Sequence, residues 1–347
     1  MRILQVNTEK TWRGGERQTL YLLKAFKQKG HSVALLALKN SPLHTNAMKN
    51  NIKVFAINSY LSALLKLFFL VKKFDIINAQ TGKAHTQCFL IKIIINFKLI
   101  YTRRVDFIPR GRLTKYKYLK TDLVVSISKS ISKILNKSEI VANSPVIYSS
   151  FVPKRLNNKR AENLLLKLKI PREKKIIGLI SALEPHKDPQ TAIRVCSELN
   201  KKSYDYIFLH FGDGSLFKDL KEEINLHGLQ KKYLLMGHLD SVEDFFSIFD
   251  FFLMTSTEEG LGSSILDAFY YKVPVVSTDA GGLKELVLDR GLLSEKGNAL
   301  GLAKNIQKLR KDKKIREKVT SSAYDYCIQK HNITNAIKQY EKLFLKA

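Results

Sequence analysis

Residues 256–287 read STEEGLGSSILDAFYYKVPVVSTDAGGLKELV. An apolar run ends near Thr255, a loop with two glycines follows, and a helical pattern begins around Ser263. Backbone N–H groups at a helix start point outward, and the helix dipole favours negative charge there. Gly260 and Gly262 also let the backbone approach a ligand closely. The segment therefore predicts a loop that binds a diphosphate group.

Two carboxylates frame this loop. Glu259 lies in the loop and Asp267 lies two turns into the predicted helix, with seven residues between them. Both could hydrogen-bond hydroxyl groups of one elongated ligand. The alternative is a structural role, in which Ser263 is an N-cap, the glycines form a turn and both carboxylates are solvated.

Short apolar runs alternate with amphipathic stretches along the chain, which is the pattern of strands and helices in parallel sheets. Strand patterns cover residues 3–6, 33–38, 76–78, 99–102 and 123–126 in the first half, and 176–181, 206–211, 233–236, 251–254 and 273–277 in the second. Helical patterns in the second half cover 188–201, 215–227, 240–249, 263–271 and 298–346. In the first half, Gly14 and Gly15 are predicted to form a loop before a helix.

These two series predict an α/β protein with two doubly wound Rossmann-like domains that face a central cleft. We expect the first domain at residues 1–150 and the second at 151–330. The polar, basic and aperiodic stretch 149–160 suits a linker between them. We expect residues 331–347 to form a C-terminal helix that packs back on the first domain.

The composition of the 347 residues narrows the class of protein. A hydrophobic content of 45% argues for packed cores and against disorder. The three cysteines, Cys88, Cys196 and Cys327, are far apart and lack CxxC spacing, which argues against a disulfide framework or a zinc site. The N-terminus lacks a signal-like apolar run, and no uncharged stretch is long enough to cross a bilayer, so we expect a cytoplasmic location.

The net charge of +28 is concentrated in the first half. Residues 1–150 contain 26 Lys and Arg against 6 Asp and Glu. Such a surface attracts phosphate polymers, anionic lipid headgroups or phosphorylated substrates, although a lysine-rich proteome with solvated surfaces would also explain the total. Residues 60–73 (YLSALLKLFFLVKK) combine an apolar face with lysines, so they could lie along a membrane surface or form an ordinary buried helix.

The segment 256–287 resembles the E-x7-E signature of the retaining family-4 glycosyltransferases, which have the GT-B fold. The resemblance extends to the E-G-x-G loop and the later P-V-V-x-T-D-x-G-G-x-x-E run. It implies that Glu259 binds the transferred sugar and that Asp267 binds the ribose of the nucleotide. Asp267 is one methylene shorter than the glutamate of the family. The resemblance also places the donor against the loop residues Gly260, Leu261, Gly262 and Ser263.

Other segments resemble the family in the same order along the chain. Gly14 and Gly15 in WRGGER resemble the glycine loop of the first domain, which approaches the donor phosphate and sugar. Lys187 follows a strand and loop that bring basic groups to the diphosphate, although Ala182 stands where the family commonly has an arginine. His238 belongs to a segment that resembles the border of the nucleotide base.

The main departure from the family lies after the strand pattern 99–102. Many relatives have a histidine there that contacts the sugar, whereas this chain has Arg104 at roughly that position. A guanidinium is a poor base but a good partner for phosphate, so the resemblance implies a phosphate-facing role. The alternative for Arg104 is a basic surface turn. For His85 and His186, a ligand-binding role and a structural role both remain open.

The resemblance implies a retaining hexosyl- or related glycosyltransferase that moves a sugar from a nucleotide donor, with a UDP-sugar favoured over a GDP-sugar. The acceptor would be a glycan, a lipid-linked sugar or lipopolysaccharide at the inner face of the plasma membrane. Glu259, Lys187 and Arg104 would act in catalysis. No Asp-x-Asp triplet occurs, so we expect no essential metal and no cofactor beyond the co-substrate.

Two other functional classes remain as alternatives. The same fold also carries nucleotide-sugar epimerases and phosphorylases. The basic first half could belong to a nucleic-acid-binding protein, but no aromatic-basic recognition motif supports this, so we expect no nucleic-acid partner. The sequence leaves the oligomeric state open.

Overall fold

The computed structural model describes residues 1–138, 140–141, 143–201 and 205–346. They form two compact units. Unit 1 contains Met1–Val152 together with the residues from Lys330 onwards, and unit 2 contains Pro153–Gln329. Each unit is built on its own parallel sheet.

Over the described residues, the sheet of unit 1 has six parallel strands in the order β3-β2-β1-β4-β5-β6. The strands are β1 (Arg2–Val6), β2 (Ser32–Leu38), β3 (Lys53–Ile57), β4 (Ile76–Ala79), β5 (Leu99–Arg103) and β6 (Leu123–Ser126). The helices are α1 (Gly14–Gln28), α2 (Pro42–Lys49), α3 (Tyr60–Leu70), α4 (Gly82–Lys92), α5 (Arg112–Leu119), α6 (Lys129–Lys137) and the C-terminal α14 (Ile333–Lys346). Val71–Lys73 forms a short 3-10 helix.

Hydroxyl side chains start several of these helices. The Oγ atoms of Ser59 and Ser128, and the Oγ1 of Thr81, accept hydrogen bonds from backbone N–H groups in the first turns of α3, α6 and α4. These bonds satisfy donors that have no partner within a helix. Each chain segment therefore turns from a strand into a helix at a position set by its own sequence.

Both faces of the first sheet are covered. One buried cluster joins the sheet to α3, α4, α5 and α6 through residues such as Leu67, Cys88, Tyr118 and Leu135. A second cluster joins the opposite face to α1 and α14. In it the rings of Phe26 and Phe344 are stacked with centroids 5.7 Å apart. The C-terminal helix is thus part of the core of unit 1.

Over the described residues, the sheet of unit 2 has six parallel strands in the order β12-β11-β10-β7-β8-β9. The strands are β7 (Lys175–Ile180), β8 (Tyr206–Phe211), β9 (Tyr233–Gly237), β10 (Phe251–Met254), β11 (Val275–Thr278) and β12 (Leu292–Ser294). The helices are α7 (Asn158–Lys167), α8 (Pro189–Lys201), α9 (Phe217–Leu226), α10 (Ser263–Tyr270), α11 (Gly282–Val287), α12 (Ala299–Lys311) and α13 (Lys313–Lys330). Short 3-10 helices cover Pro185–Lys187 and Val242–Ile248.

Several elements differ from the sequence-based expectations. The strands β3 and β12 were not predicted, because both lie at sheet edges and are only partly buried, which weakens their apolar pattern. Gly14 and Gly15 do not form a loop but begin α1. The helix predicted at 240–249 is a 3-10 helix over Val242–Ile248. Among the described residues, no helix combines the length and apolarity needed to span a bilayer.

The packing of α14 predicts a strong effect of Phe344→Ala on unit 1. Phe344 is 1% exposed, whereas its neighbour Leu345 is 77% exposed. Removing the buried ring should lower the free energy of unfolding by about 3–5 kcal/mol, through lost burial and a residual cavity. Leu345→Ala, measured by the same chemical denaturation, should change it by no more than about 0.5 kcal/mol. Equal effects of the two substitutions would contradict the role assigned to α14.

Candidate active site

The strand order of unit 2 changes direction between β7 and β10. Doubly wound sheets have a crevice at the carboxyl ends of the strands at such a point. β7 and β10 are neighbours, and the chain continues from them toward opposite sides of the sheet. The loops that leave their carboxyl ends therefore diverge, and ligands of doubly wound sheets bind at this point. Lys187 ends the 3-10 helix that follows β7, and Glu259 lies in the loop that follows β10. The two predicted residues thus border the same crevice.

Backbone hydrogen bonds join these two loops. The N–H groups of Thr257 and Glu258 both donate to the carbonyl oxygen of His186, over 2.9 and 3.3 Å. The Thr255 hydroxyl donates to the carbonyl oxygen of Lys187 over 3.1 Å. Asp188 closes the turn with a φ of 45°, in the left-handed region. These links hold the main chain around Lys187 against the loop that carries Glu259.

The side chains of Lys187 and Glu259 form an ion pair in which Nζ donates to Oε2. They are only 17% and 16% exposed, so each charge offsets part of the desolvation cost of the other. The two groups are the types that bind a diphosphate and sugar hydroxyls, respectively. A ligand carrying both chemistries can replace the pair, because its diphosphate would balance the Lys187 charge and its hydroxyl groups would donate hydrogen bonds to Glu259.

The glycine turn after Glu259 is tightly packed. Gly262 has a φ of +87°, and a Cβ there would lie 2.7 Å from Cδ2 of Leu283. A Cβ on Gly282 would lie 2.2 Å from the carbonyl oxygen of Gly260. The Gly282 N–H donates to the Glu259 carbonyl oxygen over 2.8 Å. Glycine is therefore required at position 262 by the left-handed backbone and the Leu283 side chain, and at position 282 by the main chain of Gly260.

The other predicted residues of this segment have different surroundings. Leu261 is a core side chain, so its main chain alone is available to a ligand. Ser263 is the first residue of α10. Asp267 is 3% exposed in the second turn. Burial raises the pKa of the Cys327 thiol to about 12, and the negative charge of Asp267 adds to the rise.

His238 lies at the same edge of the sheet, one residue after β9. Its side chain is 53% exposed, and its Nε2 lies 3.9 Å from Oδ1 of Asp240. The Gly212 N–H donates to the Gly237 carbonyl oxygen over 2.9 Å, which joins the loops after β8 and β9. His238 is therefore solvent-exposed at the carboxyl end of β9, two strands away from β7.

A buried row of hydrogen-bonded side chains, which the sequence did not suggest, lies near the carboxyl ends of β7 and β8 and reaches β9. The Ser181 hydroxyl and Nε2 of His210 are 2.9 Å apart, and Nδ1 of His210 is 2.7 Å from the Tyr233 hydroxyl. Burial lowers the pKa of His210 to about 4, so the imidazole is neutral. The row crosses β7, β8 and β9 and ends at Ser181, where the loop to Lys187 begins. The only sequence signal was a histidine inside the apolar run IFLHF.

In unit 1 the strand order changes direction between β1 and β4, so the carboxyl ends of these two strands correspond to those of β7 and β10. Glu16 in the first turn of α1 accepts hydrogen bonds from the Arg13 N–H over 3.0 Å and from the Asn7 side chain over 3.2 Å. Burial raises the pKa of the Glu16 carboxyl, and these hydrogen bonds oppose the rise. They fix the start of α1, where Gly14 and Gly15 lie.

Arg104 lies directly beside this helix start. Its Cδ is 3.5 Å from the position that a Cβ on Gly15 would occupy. Its guanidinium donates to Oε1 of Gln80 over 2.7 Å and to Oγ of Ser149 over 3.4 Å, and its Nε is buried without a partner. Among the described residues, no carboxylate forms an ion pair with it. Burial lowers the pKa of this guanidinium, while Tyr340 and Glu16 oppose the effect.

Arg103, the neighbour of Arg104, and the candidate His85 have structural surroundings. Arg103 is fully buried and donates to the Tyr118 hydroxyl and the Phe107 carbonyl oxygen. His85 stacks on Tyr101 with ring centroids 4.1 Å apart, and burial holds its pKa well below the usual range. Within the described ranges, no three His, Cys, Asp or Glu residues are grouped as metal ligands.

Most of unit 2 matches a known protein family. Residues 161–326 match the family described as glycosyl transferases group 1. This segment is a group 1 glycosyltransferase domain. It contains the crevice with Lys187 and Glu259, whereas Gly14, Gly15 and Arg104 lie outside it.

The relatives of this glycosyltransferase domain agree with the family match. The chain is 26% identical to N-acetyl-alpha-D-glucosaminyl L-malate synthase of Bacillus anthracis, over 78% of this chain and 74% of that protein. It is 24% identical to the capsular polysaccharide biosynthesis glycosyltransferase CapM of Staphylococcus aureus, over 81% of this chain and 78% of that protein. HepE of Anabaena, solved in complex with UDP and glucose, has a TM-score of 0.87 at 20% identity and full coverage of both chains. The predicted class, two Rossmann-like domains of the GT-B type, is confirmed.

The buried histidine predicts a pH-dependent stability. Burial lowers the pKa of His210 from the ordinary 6.5 of a histidine to about 4, so the unfolded state binds more protons between these pH values. Stability should therefore fall as the pH falls through this range. In His210→Gln, the loss of unfolding free energy between about pH 7 and about pH 4.5 should be smaller by about 2 kcal/mol, measured by urea denaturation.

His238→Gln provides the matched control, because His238 is largely exposed. The free energy of unfolding of His238→Gln should depend on pH as that of the wild type does. An unfolding free energy that falls with pH as much in His210→Gln as in the wild type would contradict a neutral, buried His210, since the buried His85 accounts for only the part of the slope that both share.

Proposed function

We propose that the protein is a retaining glycosyltransferase of family 4 that transfers a hexosyl or related sugar from a UDP-sugar. The proposed acceptor is a lipid-linked sugar or lipopolysaccharide, met at the cytoplasmic face of the membrane. The Lys187–Glu259 pair at the carboxyl edge of the unit 2 sheet carries this proposal. It places an ammonium and a carboxylate together, beside a glycine turn, inside the glycosyltransferase domain.

In this proposal the donor replaces the internal ion pair. The diphosphate binds the Lys187 ammonium and the backbone N–H groups at the start of α10, where helix dipole and unpaired donors favour an anion. The sugar hydroxyls donate to Glu259. Asp267 is assigned to the ribose, and His238 to the border of the base.

UDP is the proposed nucleotide because it occupies related structures. HepE was solved with UDP and glucose, and TarM of S. aureus was solved with UDP and alpha-GlcNAc-glycerol. The resemblance of segment 256–287 to family 4 supports retention of the anomeric configuration.

The proposed reaction exchanges one bond at the anomeric carbon. The bond from this carbon to the diphosphate oxygen breaks as the bond to the acceptor oxygen forms on the same face. The diphosphate takes the electron pair, and one of its oxygens receives the acceptor proton. Lys187 stabilises the negative charge that grows on the leaving group. No protein nucleophile and no metal are included in this proposal.

Arg104 supplies a second cation in unit 1. It is held by the neutral groups of Gln80 and Ser149, so its charge remains available to a phosphate. We assign it to the growing phosphate charge in the transition state. The glycine helix start beside it leaves the space that a side chain would fill.

Product analysis separates this function from its alternatives. The chain is incubated with UDP-sugars or GDP-sugars, with and without a membrane extract. Transfer gives UDP and a glycosylated acceptor, whereas an epimerase returns a free nucleotide sugar and a phosphorylase requires inorganic phosphate. A thermal-shift screen of the same donors identifies the nucleotide independently of the acceptor.

Two single substitutions should separate the contribution of the diphosphate contact from that of the sugar contact. Lys187→Ala should weaken UDP binding about 10- to 100-fold and leave uridine binding nearly unchanged, because a charge-assisted contact is lost. Glu259→Ala should retain UDP binding but remove the added affinity of a UDP-sugar over UDP. Isothermal titration with the three ligands measures both effects.

Matched controls lie close in the sequence. Glu258→Ala changes an exposed carboxylate next to Glu259, and Lys175→Ala changes a lysine at the amino end of β7. Both should bind as the wild type does. Equal losses of UDP and uridine affinity in Lys187→Ala would count against its diphosphate role.

Arg104→Gln should lower kcat about 100-fold with a much smaller change in donor Kd, because one stabilising charge is removed from the transition state. Arg104→Lys should recover only part of the rate, since an ammonium lacks the planar fork. Arg110→Ala, an exposed arginine nearby, is the control. Unchanged turnover in Arg104→Gln would refute the assignment.

A further inference from the structure

Three helices of unit 1 form one layer on a single face of its sheet. Leu67 of α3, Cys88 of α4 and Tyr118 of α5 belong to the same buried cluster. The Phe89 and Tyr116 rings join α4 to α5 with centroids 5.8 Å apart. The sides of these helices that point away from the sheet therefore form one outer surface, which we call the α3–α5 face.

The helix α3 is apolar on both sides. Ala63 and Leu67 are fully buried against the sheet. On the other side Leu61, Leu65 and Phe69 are 65%, 57% and 67% exposed. Their spacing of four residues places them in one stripe along the helix. An amphipathic surface helix would have polar residues on that side, so the second stripe indicates an apolar partner.

The apolar surface continues on the neighbouring helices. Ile94 after the end of α4 is exposed, and so are Leu113 and Leu119 on α5. Isolated exposed apolar residues are normal on proteins, but a set that continues across three packed helices is not.

The charges around these residues are almost all of one sign. Between residues 17 and 121 the chain has twenty Lys and Arg, and the only acidic residues are Asp75 and Asp106. Asp75 is paired with Arg2 over 2.6 Å. Lys73 and Lys115 are exposed beside the apolar residues of α3 and α5. On α4, Lys83 is paired with Glu9 and Lys92 with Asp122. The excess of the other lysines and arginines still leaves the α3–α5 face apolar and net positive.

We propose that the α3–α5 face docks on an anionic lipid bilayer. Leucine, isoleucine and phenylalanine would enter the boundary between headgroups and acyl chains, and lysines would reach the lipid phosphates. A protein interface core is depleted in lysine. Single-stranded nucleic acid is bound mainly through stacked aromatic rings, whereas the most exposed apolar side chains of α3 and α5, with the exception of Phe69, are leucines. Both alternatives fit this surface less well.

This proposal rests on the proposed function, because membrane docking would bring the transferase to its acceptor. A lipid-linked acceptor would be met on the same bilayer. Binding to lipid can nevertheless be measured without donor or turnover, so the two proposals can fail separately.

The test is cosedimentation of the full chain with vesicles made of equal parts phosphatidylglycerol and phosphatidylcholine. The wild type should bind these vesicles and be retained far less by pure phosphatidylcholine. Leu65→Gln combined with Phe69→Gln should weaken binding at least about tenfold, because two apolar insertions are lost. Leu166→Gln combined with Leu226→Gln is the matched control, since these leucines of unit 2 are 73% and 86% exposed.

A second pair of variants tests the charge. Lys73→Glu combined with Lys115→Glu should weaken binding to the anionic vesicles at least about tenfold. Lys304→Glu combined with Lys318→Glu makes the same change of net charge on exposed lysines of unit 2. This control should bind nearly as the wild type does.

Three results would overturn the proposal. One is equal loss of vesicle binding in the unit 2 controls, which would indicate a net-charge effect without a docking face. Another is equal retention of the wild type by anionic and neutral vesicles. The third is a dimer in sedimentation velocity that Leu65→Gln/Phe69→Gln dissociates while vesicle binding stays unchanged. Vesicle binding without any bound nucleotide sugar would leave this proposal standing and reject the proposed function.

Discussion

The carbonyl oxygen of His186 accepts hydrogen bonds from two successive N–H groups, those of Thr257 and Glu258. This contact joins the loops that leave β7 and β10, at the place where the strand order of unit 2 changes direction. Together with the hydrogen bond from Thr255 to the Lys187 carbonyl oxygen, it holds the main chain of Lys187 beside the loop of Glu259. Without it, two oppositely charged side chains more than seventy residues apart would have no common position.

The two units handle a partly buried cation in different ways. Lys187 is balanced by a carboxylate, so its site is neutral until a ligand separates the pair. Arg104 is held by an amide and a hydroxyl, so its site keeps a positive charge. A guanidinium stays protonated even where burial lowers its pKa. The first arrangement suits exchange of one ion pair for another, and the second suits attraction of an anion.

Particular residues show which elements of the fold could be predicted from the sequence and which could not. The apolar runs that became β7, β8 and β10 were found because both faces of a central parallel strand are buried, which leaves an unbroken apolar signal. β3 and β12 were missed because edge strands are partly exposed. Gly14 and Gly15 were expected in a loop because glycine usually breaks helices, but the hydrogen bonds of Glu16 begin α1 at Gly14. The roles assigned to the site residues stay predictions.

The sequence by itself determined the fold class and the segment with the glycine turn, because these follow from local periodicity and from residues within about thirty positions. The group of enzymes came from the resemblance of this segment to a known family. Only the tertiary structure decided that Lys187 meets Glu259, that Arg104 lies against Gly15 and that His210 joins Ser181 to Tyr233. Such pairs join distant positions, and nothing in local patterning specifies which loops of a parallel sheet share an edge. Likewise, the sequence could not choose between a buried and an exposed role for residues 60–73. Helix α3 has two apolar sides, and the sheet can cover only one of them.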